Sequence, residues 1–125
     1  MTPSDKDNRR AKRIAQLNDQ VRKHVCIPSQ FIQAENPHRI VITRGVTGIP
    51  SEVRFAIYAL IRDFDAFTED NDPYGEHDFG SIEHAGYKLF WKFDYYDHRL
   101  EYGSAHPDDP GQTCRVLTIM LAEEY

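Results

Sequence analysis

The segment Asn71–Gly80, NDPYGEHDFG, contains the side chains of this 125-residue sequence that are best suited to chemistry. Two carboxylates flank an imidazole at Glu76-His77-Asp78, and a second cluster, DYYDHR, begins at Asp94. Imidazoles and carboxylates act as general acids and bases and as ligands of divalent ions. If the fold brought the two clusters together, a small metal-dependent hydrolase or nuclease could be built. Its residues would be His77, Asp78, Asp94 and His98.

No recognised metal motif accompanies these side chains. The segment from Asp70 begins like a calcium loop, with Gly75 at the sixth position, but Ser81 occupies the twelfth position, where a bidentate glutamate is required. The sequence has no HExxH, no CxxC and no zinc-deaminase pattern. We therefore predict no metal and no cofactor and assign no catalytic residue, while a hydrolase stays open as the alternative.

Acidic residues gather at the end of a predicted helix, where folding does not favour them. They are Asp63, Asp65, Glu69 and Asp70. Carboxylates close to a helix C-terminus oppose its dipole, at a cost of roughly 0.3–1 kcal/mol each. A bound cation, a basic partner or arginines of the same chain would explain the cluster. A solvated loop, with Asp72 and Asp78 bonded to their own backbone, is the other explanation.

Aromatic residues of the kind that anchor protein interfaces stand among these acids. We predict a partner-binding surface that consists of Asp70, Asp72, Tyr74, Glu76, His77, Phe79, Tyr96 and Asp97. The preferred hypothesis is a non-enzymatic interaction protein whose acidic loop binds a basic surface on a protein partner.

Charge is polarised along the chain. Residues 1–24 hold seven Lys and Arg against three acids, a net charge of +4, whereas residues 63–109 hold thirteen acids against three basic residues, a net charge of −10. Such a field steers charged partners. The acidic half would repel a polyphosphate, so we expect no direct nucleic-acid binding. No apolar run predicts a membrane span or a signal peptide, and Cys26 and Cys114 suit a reducing cytoplasm.

Hydrophobic periodicity predicts an α+β fold with the order α-β-α-β-β-β, an antiparallel meander with a central helix packed on one face. A basic amphipathic helix, capped by Ser4, covers 5–24 and packs only lightly, so that 1–27 is helix and linker and 28–125 a single domain. The other elements are strand 39–43, helix 50–64 and strands 87–95, 99–103 and 114–122. The predicted core is Val53, Ile57, Leu60, Ile61, Phe64, Leu89, Trp91, Val116 and Leu117.

Three stretches carry a resemblance to a known family: TRGVTGIP, the NDPYGEHDFG loop, and WKFDYYD with the terminal CRVLTIMLAEEY. Over residues 36–125 the sequence resembles a bacterial domain-of-unknown-function family of small proteins, common on alphaproteobacterial plasmids and integrated elements. The resemblance implies no catalytic residue. It implies that genes of this kind are found together with antirestriction genes on mobile DNA. The protein would then be an inhibitor of the antirestriction or anti-CRISPR type, and its partner a nucleic-acid-handling host protein.

Overall fold

The computed structural model describes residues 5–25 and 35–125, which form one layer of helices on one four-stranded sheet. The helices are α1 (Asp5–Arg22), the short α2 (Arg44–Thr47) and α3 (Ser51–Arg62). The strands are β1 (His38–Ile42), β2 (Phe79–His84), β3 (Tyr87–Tyr96) and β4 (Cys114–Leu121). A 3-10 turn (Ala122–Glu124) follows β4. Within these residues, no helix is both long and apolar enough to cross a membrane.

The sheet is mixed, with the spatial order β1-β4-β3-β2. β2, β3 and β4 pair antiparallel, whereas β1 pairs parallel to β4 with Ile40 opposite Leu117. The α+β class is confirmed, but the prediction of a purely antiparallel meander was wrong. β1 is separated from β4 by most of the chain, so its direction is decided by packing and not by a hairpin.

The predicted strand 99–103 was also wrong, and β2 was missed. Residues 97–113 form turns that meet β3 only through an isolated bridge between Tyr96 and Gly103. The partner of β3 comes instead from Phe79–His84, which pairs with it across a tight turn at Ala85-Gly86. The positive φ of Gly86, 83°, suits such a turn. The alternation in β2 is weak because Gly80 and Ser81 interrupt it.

One face of the sheet supplies the core. Leu89, Trp91 and Phe93 of β3 lie beside Leu117 and Ile119 of β4, and all five are buried, as the alternating pattern predicts. α3 covers this face with Ile57, Tyr58 and Ile61. Val53, Phe64 and Val116 are partly buried, and Leu60 is 42% exposed, so its place in the predicted core was wrong.

α1 packs on the same face more tightly than its narrow stripe suggests. Ile14, Leu17, Val21 and Val25 are each at most 2% exposed, and Val21 and Val25 belong to the central hydrophobic cluster. The expected light packing was therefore wrong. The helix ends at Arg22, earlier than expected, and its predicted cap Ser4 lies outside the described residues. The division at residue 27 stays a prediction.

Candidate functional site

The acidic loop, residues 63–78, joins α3 to β2 and contains most of the residues predicted to bind a partner. Its second half folds against α1. Asn18 of α1 donates to the backbone oxygen of Glu76 at 3.1 Å, and Asp19 of α1 lies 3.0 Å from Nδ1 of His77. α1, the helix expected to be separable, thus holds the loop in place.

Asp72 is the centre of this second half, because its side chain accepts bonds from the loop's own backbone. It is 7% exposed, and its Oδ1 accepts the backbone N–H groups of Glu76 and His77, both at 3.2 Å. These two bonds close a turn around Gly75, whose φ is 69°. The expectation that Asp72 bonds to its own backbone is met, and this side chain is not on the surface.

His77 is fixed from three directions. Its ring stacks on Phe67 with centroids 3.8 Å apart and planes 2° from parallel, and its Nδ1 donates to the carboxylate of Asp19. Its φ of 55° lies in the left-handed region, which is unusual for a residue other than glycine. The other oxygen contact of the ring is the Asp72 carboxylate, 3.7 Å from Nε2. The imidazole thus joins the loop to α1.

A buried polar network lies beneath the loop. Asn18 is fully buried; its Nδ2 donates to the hydroxyl of Tyr95 at 2.9 Å and its Oδ1 accepts from Nε of Arg115 at 2.8 Å. Arg115 is also fully buried, lies over the Tyr95 ring and donates to the carbonyl of Pro107. Burial lowers the pKa of Arg115 to about 10 and raises the pKa of Tyr95.

Arg22 closes the C-terminal end of α3. Its Nη1 donates to the backbone oxygens of Ile61 at 2.9 Å and Phe64 at 2.7 Å, and its Nη2 pairs with Asp19 at 2.8 Å. The guanidinium also lies 5.0 Å from the ring centroid of Trp91. Carbonyls at a helix end need such donors, and a cation there complements the helix dipole.

Glu76 and Asp78 are half-buried, which disfavours their charged forms. Burial is the main cause of the raised pKa of Glu76, and the neighbouring charge of Asp78 adds to it. The pKa of Asp78 is raised for the same reason, with further contributions from Asp72 and Asp94.

The second sequence cluster approaches the first only through Asp94 and Tyr95: Asp94 contributes to the raised pKa of Asp78, and Asn18 bonds to both Tyr95 and Glu76. Asp97 and His98 are engaged elsewhere. Oδ1 of Asp97 accepts the backbone N–H groups of Arg99 at 3.1 Å and Glu101 at 3.0 Å, so it stabilises its own turn. The His98 ring lies by the carbonyl of Pro110, and Asp94 pairs with Lys92. Among residues 5–25 and 35–125, no group of three or more His, Cys, Asp or Glu side chains could hold a metal ion.

The eight residues predicted to bind a partner therefore occupy different environments. Asp70 is exposed and Tyr74 is 79% exposed, whereas Asp72 is buried. The other five are partly buried: Glu76, His77, Phe79, Tyr96 and Asp97. Phe79 lies on the opposite face of the sheet from Trp91, against Phe90 and Tyr125. The surface prediction itself is not tested by this geometry.

Two kinds of exposed feature remain around the loop. Its first half presents the carboxylates of Asp65, Glu69 and Asp70 to solvent. A groove of about 570 Å³ runs between α3 and the outer edge of β2, and a second of about 640 Å³ lies between the first turns of α1 and Tyr74.

Sequence reasoning missed the buried polar residues Asn18, Arg22 and Arg115. A signal for two of them exists: Asn18 and Arg22 follow Ile14 at intervals of four residues, so they lie on the buried stripe of α1. Arg115 alternates with Leu117 and Ile119 on the core face of β4, a position normally reserved for an apolar residue. A polar side chain at a core-facing position indicates an internal network.

Comparison with known proteins places most of the chain in one family. A family model described as "Protein of unknown function (DUF3768)" matches residues 42–124, from the end of β1 to the C-terminal turn. Neither the curated proteins nor the solved structures that were searched contain a match. α1 lies outside the matched region.

Proposed function

The chain belongs to the DUF3768 family of proteins of unknown function, and since that family name states no activity, we propose a function from the surface: a small non-enzymatic interaction protein that binds a basic surface of a protein partner. The docking surface is the first half of the acidic loop with the adjacent tyrosine. Its principal residues are Asp65, Glu69, Asp70 and Tyr74.

The observation that carries this proposal is the contrast between the two halves of the acidic loop. In the second half, Asp72 is used by the fold, through bonds to backbone N–H groups. In the first half, Asp65, Glu69 and Asp70 are exposed, and in the described part of the chain no ion pair joins them to a cation. Carboxylates without a role in the fold are available to a basic partner.

The charge distribution also supports the proposal of a basic partner. Asp63 and Asp65 follow α3 directly, so the loop acids add to the negative end of this helix. Such a concentrated field raises association rates with basic surfaces and penalises acidic ones. Tyr74 at the edge of the acids offers an apolar ring and a hydroxyl, the combination that anchors many interfaces.

The class of partner comes from the resemblance to proteins carried by mobile DNA. Genes carried together with them on mobile DNA encode inhibitors of restriction and related defences. The proteins that such inhibitors target carry basic surfaces that bind nucleic acid. We therefore propose that the partner is a nucleic-acid-handling host protein in the cytoplasm, and that the chain acts as an antirestriction or anti-CRISPR-type inhibitor.

A charge-neutral variant tests the proposal. The triple variant Asp65→Asn/Glu69→Gln/Asp70→Asn removes three exposed charges of the docking surface. A matched control, Glu52→Gln/Glu101→Gln/Glu123→Gln, removes three exposed charges elsewhere. Tagged versions of each are used to capture partners from cells at several salt concentrations, and captured proteins are identified after cross-linking.

The expected result is a basic protein that the wild-type chain and the control capture and the triple variant does not, with capture weakening as salt rises. The melting temperature of the triple variant should equal or slightly exceed that of wild type, because no fold contact is removed and unfavourable charge near the end of α3 is relieved. Equal capture by the triple variant and wild type would overturn the assignment of the surface.

A further inference from the structure

The junction between the end of α1 and the start of β1 contains buried side-chain atoms that have no hydrogen-bond partner. They are Nδ1 of His24, Oδ1 of Asn36 and Nε2 of His38. The other atoms of this kind in the described part of the chain are N–H donors, on Arg22, Trp91 and Arg115. Buried polar groups are nearly always bonded, so a cluster of exceptions calls for a water, an ion or a functional reason.

The hydrogen bonds of the junction determine which of these atoms are acceptors. Nδ2 of Asn36 donates to the backbone oxygen of Leu17 and to Oε1 of Gln20, both at 3.1 Å, so Oδ1 is the free end of that amide. Nδ1 of His38 donates to the backbone oxygen of Asn36 at 2.8 Å, because a carbonyl can only accept. In the neutral ring, Nε2 of His38 then carries a lone pair. Burial lowers the pKa of His38, which favours the neutral ring.

The two imidazoles of the junction lie side by side. The ring centroids of His24 and His38 are 5.9 Å apart, and the ring planes are 11° from parallel. None of the ion pairs in the described part of the chain includes either ring. The neighbouring guanidinium groups are directed elsewhere: Arg22 bonds to the end of α3, and Arg115, which pairs with His38 in the ladder, bonds to the carbonyl of Pro107. The imidazoles therefore meet without a carboxylate partner.

Two imidazole nitrogens and an amide oxygen are a donor set for a transition-metal ion. Zn²⁺ and Cu²⁺ take imidazole ligands, whereas Mg²⁺ and Ca²⁺ require oxygens. A ligating histidine typically donates its second ring N–H to a carbonyl or carboxylate, which fixes its tautomer, and His38 does so toward Asn36. His24 offers Nδ1 in the tautomer that carries its proton on Nε2. Three protein ligands leave the fourth position of a tetrahedral site to water.

We propose that His24, Asn36 and His38 bind one Zn²⁺ ion, or another dication that prefers imidazole, at the junction of α1 and β1. Histidines at positions 24 and 38 match no recognised metal motif, which is why the sequence predicted no metal. The site is independent of the proposed docking surface. A bound ion joins the end of α1, the helix whose Asn18 and Asp19 contact the acidic loop, to the start of the sheet.

The probe is Zn²⁺ titrated into untagged, metal-free protein, with Mg²⁺ as the negative ion. The decisive variant is His24→Gln/His38→Gln, and its matched control, His98→Gln/His106→Gln, removes two exposed histidines. By calorimetry we expect one Zn²⁺ per chain for wild type and control, binding at least tenfold weaker to the decisive variant, and no Mg²⁺ binding. Zn²⁺ should also raise the melting temperatures of wild type and control, because the three ligands come together only in the folded state.

A second measurement needs no variant and decides the question if the double variant unfolds. In the magnetic resonance spectrum of isotope-labelled wild type, Zn²⁺ below one equivalent should shift the ring-nitrogen signals of His24 and His38 and leave those of His77 and His98 in place. Three outcomes would overturn the assignment: no Zn²⁺ binding, binding by the decisive variant as tight as that of wild type, or ring signals of His77 that shift first. A crystal grown with Zn²⁺ in which a water alone bonds to the three atoms would overturn it as well.

Discussion

At the scale of single residues, the acids of this chain differ in what they do. Asp72 accepts backbone N–H groups in a buried turn, Asp19 pairs with both Arg22 and His77, and Asp70 contacts solvent. Residue type alone does not separate these roles. Burial and the direction of nearby N–H groups do, and they determine which substitutions the fold tolerates.

Replacing Asp72 tests the structural role of its carboxylate. Asp72→Ala leaves the N–H groups of Glu76 and His77 without their acceptor, so we expect a loss of roughly 1–3 kcal/mol in the free energy of unfolding. Chemical denaturation measures the loss, and Asp70→Ala, at an exposed site, is the control. Equal stability of both variants would contradict the role.

Gly80 is required by close packing and not by its backbone angles. A Cβ built on Gly80 would lie 2.3 Å from Cε2 of Trp91, the residue directly opposite on β3. We expect Gly80→Ala to cost roughly 1–3 kcal/mol as the indole is forced from its position. Thermal melting followed by Trp91 fluorescence measures this. The neighbouring Ser81→Ala should melt like wild type. If Gly80→Ala also melts at the wild-type temperature, the Trp91 side chain has room to accommodate a Cβ at residue 80.

At the scale of elements, α1 is the main departure from expectation. Its apolar stripe enters the core, and its polar residues Asn18 and Arg22 reach the loop and the end of α3. A helix that both fills a core and bonds to two neighbours contributes to folding as well as to surface charge. We therefore expect a fragment of residues 28–125 to unfold at a lower temperature than the full chain.

The contribution of α1 is measured most directly at Leu17, which is 1% exposed. Leu17→Ala should lower the free energy of unfolding by roughly 2–5 kcal/mol, the cost of a cavity in a packed core. Gln16→Ala, at an exposed position on the same turn, is the control and should be near neutral. If Leu17→Ala is equally stable, α1 is a peripheral helix and the division at residue 27 is a real domain boundary.

At the scale of the whole molecule, negative charge is concentrated around the C-terminal end of α3 and in the acidic loop that follows it. The core lies on a single face of the sheet, which α3 covers. The acidic loop connects α3 to β2, and its second half packs against α1. Part of its charge is buried there. The remainder faces solvent, where a basic partner can reach it.

Burial of Glu76 makes stability depend on pH in a defined direction. Its folded-state pKa is raised above the ordinary value of 4.5, mainly by burial, so the folded state holds this proton more tightly than the unfolded state does. The stability that this proton contributes is fully present below pH 4.5 and is lost as the pH rises through the folded-state pKa. The charges facing the group are Asp72, Asp78, Arg10 and Arg115.

Glu76→Gln imitates the protonated form. We expect this variant to melt above wild type at pH 7 and to lose that advantage as the pH falls toward 4.5. Melting curves across this range are the measurement, with the exposed Glu69→Gln as control. A variant that is destabilised at pH 7 would show that the Glu76 carboxylate is held by Arg10 or Arg115 in the folded state.

The sequence by itself determined the elements with strong periodicity: α1, β1, α3, β3 and β4 lie within a few residues of their predicted positions. It also determined the core face of β3 and the asymmetry of charge, since alternation and composition are local properties. β2 was not predicted because glycine and serine at consecutive positions leave little alternation of apolar and polar residues. This strand is defined instead by its pairing with β3.

Only the tertiary structure decided the parallel pairing of β1 with β4 and the burial of Asn18, Arg22 and Arg115. It also divided the acidic loop into a half that the fold uses and a half that solvent contacts. These properties depend on which backbone groups and side chains approach from distant segments. Asp72 and Asp70 have the same chemistry in sequence, and only the N–H groups that surround Asp72 give it a structural role.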